Sequence, residues 1–358
     1  MSKVKIGILG AGFIAKVHVD NLKKDERVEV VGVVDLYLEK AQALAKEAGP
    51  QAKAFGSLEE LRTLGVDAVY VTTPNTLHVE PVLKCLESNS HVFSEKPMAT
   101  SLSDAQRIKE AAAKSKGVYN LGMNMRYGRV FKKVKEVITS GGFTPYMTQV
   151  KLNRGELLNP PWTADPKVTG GFLYETPIHL LDMCQYLFGE VETVKCEARQ
   201  SISESEFDDF AILLTFASGT IGTFVTCAHA GWSYPFQRLE AYGKYSTIAV
   251  EDMETVIYAP GLKQAAEVQD FKQVPFEEKW GYVEEDRLFI DAIINGSKPP
   301  VTAEEGYLLS RLLDGIYESA KTDWISGSEM PSEFAYPPTH TKSQIRLKTH
   351  IPYAKHNP

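Results

Sequence analysis

Short apolar runs recur through the first third of the chain, and each is followed by a stretch whose apolar positions repeat at helical spacing. VKIGIL runs into Gly10-Ala11-Gly12, after which a helical pattern opens near Phe13. VEVVGVVD fills Val28–Asp35, and further strands are predicted at Ala68–Thr72 and His91–Ser94. Helices are predicted near Ser57–Leu64, Leu77–Ser88 and Ser103–Lys116. Repeated strand–helix units of this length predict an α/β fold, a parallel sheet with helices on both faces.

After about Gly122 the alternation stops. A helix near Tyr127–Thr139 leads to strand-like runs at Met147–Asn153, Val191–Ala198, Phe210–Phe216, Thr220–Cys227 and Gln237–Tyr242. Strands joined by turns such as Ala217-Ser218-Gly219 predict a mostly antiparallel sheet. Two late helices, near Glu284–Asn295 and Ala303–Lys321, complete this part, the second being placed to return to the first domain. Pro331, Pro337, Pro338, Pro352 and Pro358 interrupt the last segment, which lacks hydrophobic periodicity. The expected organisation is a parallel-sheet domain over 1–122, a second α/β domain over 123–329 and an extended Pro-rich tail over 330–358.

A length of 358 residues agrees with two domains, because single cores stop growing near ~250–300 residues. The net charge of -7 offers no electrostatic basis for a nucleic-acid or anionic-membrane partner. Cys85, Cys184, Cys196 and Cys227 show no CxxC spacing, so neither a metal site nor a disulfide framework is expected. Gly7, Gly10 and Gly12 break up the lysine-led apolar start that would otherwise mimic a secretory signal. With no apolar segment long enough to span a bilayer, the expectation is a cytoplasmic protein.

The first strand, glycine turn and helix have the spacing G-x-G-x-x-A over Gly10, Gly12 and Ala15. Gly10 permits a tight turn, Gly12 removes a Cβ that would block a pyrophosphate, and Ala15 lets the helix approach the strand. Phe13 and Ile14 supply the first helical amides. Asp35 ends the second strand about 20 residues on, where a carboxylate holds a ribose diol. No Arg follows to neutralise a 2′-phosphate, so the expected cofactor is NAD rather than NADP.

Ligands on such sheets sit beyond the carboxyl ends of the strands. Those ends carry Thr72, Thr73, Pro74 and Asn75, with His78 just after, and Glu95, Lys96 and Pro97. These residues are expected at the ligand crevice, where Pro97 restricts the Lys96 backbone and holds its side chain toward the crevice.

The stretch LYETPIHLLD places Glu175, His179 and Asp182 around Pro177. Proline is accommodated at a first helical position, so Thr176 reads as the cap and His179 falls in the first turn. Asp182, three residues on, shares its face. Taken alone, these residues also fit a His–Asp pair at a surface helix.

GILGAGFIAKVH, the Asp35 strand end, TTPNTLH, SEKPMA and GGFLYETPIHLLD together resemble the glucose–fructose oxidoreductase, inositol dehydrogenase and MocA family over almost the whole chain. The resemblance implies a Rossmann NAD-binding domain and a C-terminal domain whose open sheet serves as substrate floor and homo-oligomer interface, with dimers or tetramers expected. It implies that His179 takes a proton from a secondary alcohol of a polyhydroxylated ring while Lys96 stabilises the alkoxide. The family has Asp and Gly where this chain has Glu175 and Pro177, so Glu175 is assigned to orient or tune the pair. Asn124, Arg126, Trp162, Tyr174 and Asp182 are the substrate-contact candidates. Expected substrates are a sugar, glycoside or cyclitol. Two alternatives are a glycosidase using bound NAD for transient oxidation and elimination, and a non-catalytic ligand sensor.

Overall fold

Ile6 and Ile8 of Val4–Leu9 (β1) are fully buried, as a strand at the centre of a sheet covered on both faces requires. The computed structural model describes residues 3–155 and 161–321. The first sheet continues with β2 (Val28–Val34), β3 (Lys53–Phe55), β4 (Ala68–Val71), β5 (His91–Ser94) and β6 (Tyr119–Leu121). The order is β3-β2-β1-β4-β5-β6, parallel throughout. Between and after the strands run α1 (Phe13–Leu22), α2 (Leu38–Ala48), α3 (Leu58–Arg62), α4 (Val79–Glu87) and α5 (Leu102–Lys114). Strand order reverses between β1 and β4, which opens the ligand crevice beyond their carboxyl ends.

The second half comprises α6 (Arg129–Thr139), β7 (Met147–Asn153), α7 (Pro166–Thr169), α8 (Phe172–Glu175) and α9 (Pro177–Phe188), then β8 (Val191–Arg199), β9 (Asp209–Phe216), β10 (Ile221–Cys227) and β11 (Gln237–Tyr242). It ends with β12 (Thr247–Glu251), β13 (Thr255–Ala259), β14 (Glu267–Asp270), α10 (Phe276–Lys279), α11 (Tyr282–Asn295) and α12 (Ala303–Ala320). The second sheet runs β14-β13-β12-β11-β7-β10-β9-β8 and is antiparallel except where β7 pairs with β10. Phe210, Ile212, Leu214 and Phe224 are buried on one face, while Leu213, Ile221 and Val225 alternate onto an exposed face.

β7 and β11 have the bounds that periodicity predicts. The three-residue strands β3 and β6 are too short for a period to register, and edge strand β14 buries no residue. The helix expected from Leu77 divides into a 3-10 turn at Asn75–Leu77 and α4. Both late helices return to the first sheet: Phe289 and Ile290 of α11 join Ile6, Ile8 and Phe93, and Gly306 of α12 lies against Met98 and Leu121. Residues through Ala320 form one compact unit. The tail expected over 330–358 lies outside the described residues.

Candidate active site

The two turn glycines answer to different constraints. Gly10 has φ +100°, and a Cβ there would lie 2.6 Å from the Thr72 carbonyl oxygen, so the protein's own backbone demands glycine. Gly12 has an ordinary φ of -83°, and a Cβ there would meet nothing within 4 Å. Among the described residues nothing requires glycine at position 12, which sits at the cap position of α1. No side chain caps that helix, so its first-turn amides at Phe13 and Ile14 are available to an anion. Ala15 is fully buried against the sheet.

Asp35 stands across this turn. Its Oδ2 accepts the Ala11 amide at 2.8 Å and its Oδ1 accepts the Tyr37 amide at 2.9 Å. Two such bonds fix the carboxylate yet leave about half of its acceptor positions for a ligand. These residues therefore fit a dinucleotide: donors for the pyrophosphate, an open space above Gly12 and an oriented carboxylate for the ribose.

The β4 end is held by its own side chains. Thr72 Oγ1 donates to the Leu9 and Gly10 carbonyls, and Thr73 Oγ1 donates to Leu77. His78 is fully buried, with Nδ1 2.8 Å from the Pro97 carbonyl and Nε2 2.8 Å from the Thr73 carbonyl. Burial pushes this ring below its ordinary value, so it is neutral and donates to one carbonyl at a time. His78 thus ties the β4 loop to the β5 loop, with both ring nitrogens engaged by backbone carbonyls.

Lys96 follows β5, and its peptide bond to Pro97 is cis. Its Nζ donates to the Glu175 carbonyl at 2.9 Å and reaches Glu175 Oε1 at 3.2 Å. Asn75 Nδ2 donates to Glu175 Oε2 at 2.9 Å and to the Thr169 carbonyl at 3.0 Å. Asn75 therefore supports the Glu175 carboxylate. Burial would push Glu175 up, but the Lys96 ammonium and the Asn75 amide outweigh it and hold the carboxyl below its usual range.

Pro177 opens α9 at the first helical position. Thr176 occupies the cap position, but in a helical conformation and without capping through its side chain, because α8 runs almost directly into α9. His179 Nδ1 is buried and has no hydrogen-bond partner. Burial first, and the Lys96 ammonium second, push the ring down to about 4, while Glu95 and Glu175 pull the other way. At neutral pH the imidazole is uncharged.

Several expected substrate contacts are engaged elsewhere. Asp182 does not join His179; its two oxygens accept Arg126 Nε and Nη2 at 2.7 and 2.6 Å in a buried fork, and Arg126 Nη1 binds Glu305 at 2.8 Å. Asn124 Nδ2 donates to the Trp280 carbonyl, and the buried Tyr174 ring stacks on Tyr317 at 6.2 Å. Trp162 is 47% exposed in the 3-10 turn Pro161–Ala164.

Sequence reasoning missed a buried chain behind Lys96. His18 Nδ1 lies 2.7 Å from Asp286 Oδ1 and its Nε2 lies 3.1 Å from Glu95 Oε1. Glu95 Oε2 in turn accepts the Lys96 amide at 3.0 Å, so Glu95 is a support under Lys96. Burial would lower His18, but Asp286 and then Glu95 raise it to about 10, which makes it a buried cation between two carboxylates. Glu285, beside them, is pushed well above its usual range by burial and by Glu95. The signal was visible as a histidine on the apolar face of α1. Its partner Asp286 is 268 residues away in sequence.

A second cluster, Asp209, Cys227 and His229, has ligand atoms within 4.8 Å of one another, with His229 paired to Asp209 at 2.7 Å. Cysteine spacing gave no hint of it, because sheet register brings Asp209 opposite Cys227.

Two family models match the chain. One, described as an oxidoreductase family with a NAD-binding Rossmann fold, matches residues 4–123, and the other, the C-terminal alpha/beta domain of the same family, matches residues 129–325. Over 85% of its length the chain is 28% identical to the myo-inositol 2-dehydrogenase of Thermotoga maritima, covering 92% of that protein. The levoglucosan dehydrogenase complex with NADH and levoglucosan superposes with a TM-score of 0.82 at 18% identity, over 89% of this chain and 97% of that one. GenD2 from gentamicin A biosynthesis, in complex with NAD, superposes with a TM-score of 0.78 at 22% identity, over 89% and 95%. At these identities the two structures speak for a shared fold.

Proposed function

Because the chain belongs to the oxidoreductase family of glucose–fructose oxidoreductase, inositol dehydrogenase and MocA and carries its NAD-binding Rossmann domain, we propose that it oxidises a secondary hydroxyl of a sugar, glycoside or cyclitol to a ketone. The observation that carries this reading is His179: a neutral, half-buried ring whose charge state is set by burial and by the neighbouring Lys96–Glu175 pair.

In this mechanism the neutral imidazole of His179 accepts the hydroxyl proton. Lys96 Nζ turns from Glu175 toward the same oxygen and donates a hydrogen bond as negative charge develops there. Glu175 holds the ammonium in place before and after that turn, and its charge favours the imidazolium that proton transfer creates. NAD, when bound, supplies the hydride acceptor. The α1 amides and Asp35 would hold it, and a 2′-phosphate would meet the Asp35 carboxylate, which favours NAD over NADP. Thr72, Thr73, Pro74 and Asn75 border the same crevice. Trp162, on its exposure, stays a candidate substrate contact in this reading, whereas Asn124, Arg126, Tyr174 and Asp182, buried and partnered within the protein, are read as structural supports.

The exposed apolar row of Met147, Leu213, Ile221 and Val225 on the second sheet supports a homo-oligomer paired through that face. Light scattering on the purified protein tests this, and a monomer at micromolar concentration would refute it.

The activity test is absorbance at the reduced-nicotinamide band while the protein and added NAD meet a panel of cyclitols, sugars and glycosides. Reduction far beyond the enzyme concentration is expected. A glycoside cleaved without bulk NAD reduction would replace this reading with a bound-cofactor glycosidase.

A further inference from the structure

β9 and β10 pair in antiparallel register, which sets Asp209, the first residue of β9, opposite Cys227, the last residue of β10. Directly opposed residues put their side chains on one face of a sheet. The ladder runs one residue further, since the Ala228 amide donates to the Asp208 carbonyl at 2.9 Å. His229, two residues past Cys227, therefore returns to that face. A carboxylate, a thiol and an imidazole converge there, their ligand atoms all within 4.8 Å of one another.

Contacts outside the cluster hold these side chains. The Arg154 amide donates to the Cys227 carbonyl at 3.1 Å, which ties the end of β10 to the segment after β7. Ser201 Oγ donates to Asp209 Oδ2, which leaves Oδ1 for His229 Nε2 at 2.7 Å. Asp208 accepts the Ser201, Ile202 and Ser203 amides and so fixes the loop that supplies this serine. Outer partners of this kind orient the ligands of metal sites. Cys227 is half-buried, while the His229 and Asp209 side chains are 36% and 31% exposed, so an ion can enter from solvent and keep a water ligand.

We propose that Asp209, Cys227 and His229 form a binding site for a divalent transition cation, Zn²⁺ by its ligand chemistry, with water completing a four-coordinate shell. A mixed sulfur, nitrogen and oxygen set suits Zn²⁺, whereas Mg²⁺ and Ca²⁺ take oxygen ligands. Little movement is needed. With bonds of ~2.0–2.3 Å, tetrahedral ligand atoms of these kinds stand about 3.3–3.6 Å apart. The ion would spread the 2.7 Å Asp209–His229 pair by about 0.6 Å and draw the sulfur in by no more than about 1.2 Å. On binding, the thiol gives its proton to solvent and the neutral imidazole keeps its own on Nδ1. Thiolate and carboxylate then balance the double positive charge. Neither Lys96, Glu175 nor His179 belongs to the cluster, so the site stands or falls independently of the dehydrogenase reading.

The full-length protein, reduced, treated with a chelator and dialysed free of metal, is titrated with Co²⁺ and then with Zn²⁺. Four-coordinate Co²⁺ absorbs strongly in the visible, and a sulfur ligand adds a charge-transfer band in the near ultraviolet. One equivalent of Co²⁺ per chain is expected to produce both signals, and Zn²⁺ to remove them. Cys227→Ala should lose the charge-transfer band. His229→Gln, a change at a partly exposed side chain, should weaken Zn²⁺ binding measured by calorimetry by about 100-fold or more, since loss of an outer partner alone costs ~10–100-fold. Zn²⁺ should also raise the melting temperature of wild type but not of His229→Gln. Should Cys227→Ala fail to fold, His229→Gln and Asp209→Asn decide. Absence of the charge-transfer band in wild type, half an equivalent bound per chain, or Zn²⁺ affinity unchanged in His229→Gln overturns the site and leaves Asp209 and His229 as a hydrogen-bonded pair only.

Discussion

Replacing His179 by glutamine removes a titrating group while keeping a polar side chain of similar reach, and its effect on stability should depend on pH in a defined direction. The buried ring is pushed from 6.5 down to about 4, chiefly by burial and next by Lys96. Below pH 6.5 the unfolded chain takes up a proton at this position that the folded chain refuses until about pH 4. The unfolded state therefore binds more protons in that window, and wild type loses stability as pH falls through it. At ~1.4 kcal/mol per pH unit the full effect is about 3 kcal/mol, reduced somewhat because part of the ring remains accessible. The substituted amide does not titrate and makes no such contribution. Urea unfolding of both proteins at half-unit steps from pH 7.5 to 4 should show wild type losing about 2–3 kcal/mol more than His179→Gln. Shared carboxylate titrations cancel in the difference. Parallel curves would show that His179 is not held neutral by its surroundings, and the proton-acceptor assignment would lose its physical basis.

Lys96→Met should reduce kcat by about 10²–10³ while NAD affinity measured by calorimetry stays within a few-fold, since the ammonium acts on the substrate oxygen; Glu175→Gln, which removes the negative charge of its 3.2 Å partner, should fall between Lys96→Met and wild type. Gly12→Val should abolish NAD binding with little change in melting temperature, because its side chain enters space that no protein atom occupies; a large loss of stability would mean that the glycine serves the fold. His18→Gln should cost about 3–5 kcal/mol near pH 7 by leaving Asp286 and Glu95 without their buried cation. Because His18 is raised to about 10, its contribution is full below pH 6.5 and fades as pH rises through 10, so the gap between wild type and His18→Gln, read by urea unfolding, should narrow over that range.

The parts of the site legible in the sequence are those whose chemistry is local to one turn. Gly10, Gly12 and Ala15 lie within six residues, so their spacing is legible as one strand–turn–helix segment. Asp35 follows on the next strand, and Pro177 announces the helix that carries His179. The α/β class and the change from alternating units to consecutive strands were legible for the same reason, since side-chain periodicity is a property of each segment alone. Tertiary structure decided which charges meet. Asp182 shares a face with His179 by helical spacing, yet the buried Arg126 guanidinium captures it, because a fork-to-fork pair removed from water outcompetes a neutral ring. Glu175 turns to Lys96 and Asn75, not to His179, because the ammonium and amide are the donors within reach. The cation between Asp286 and Glu95 is assembled from residues distant in sequence. Its contacts exist only once α11 folds back onto the first sheet, and no local pattern encodes that return.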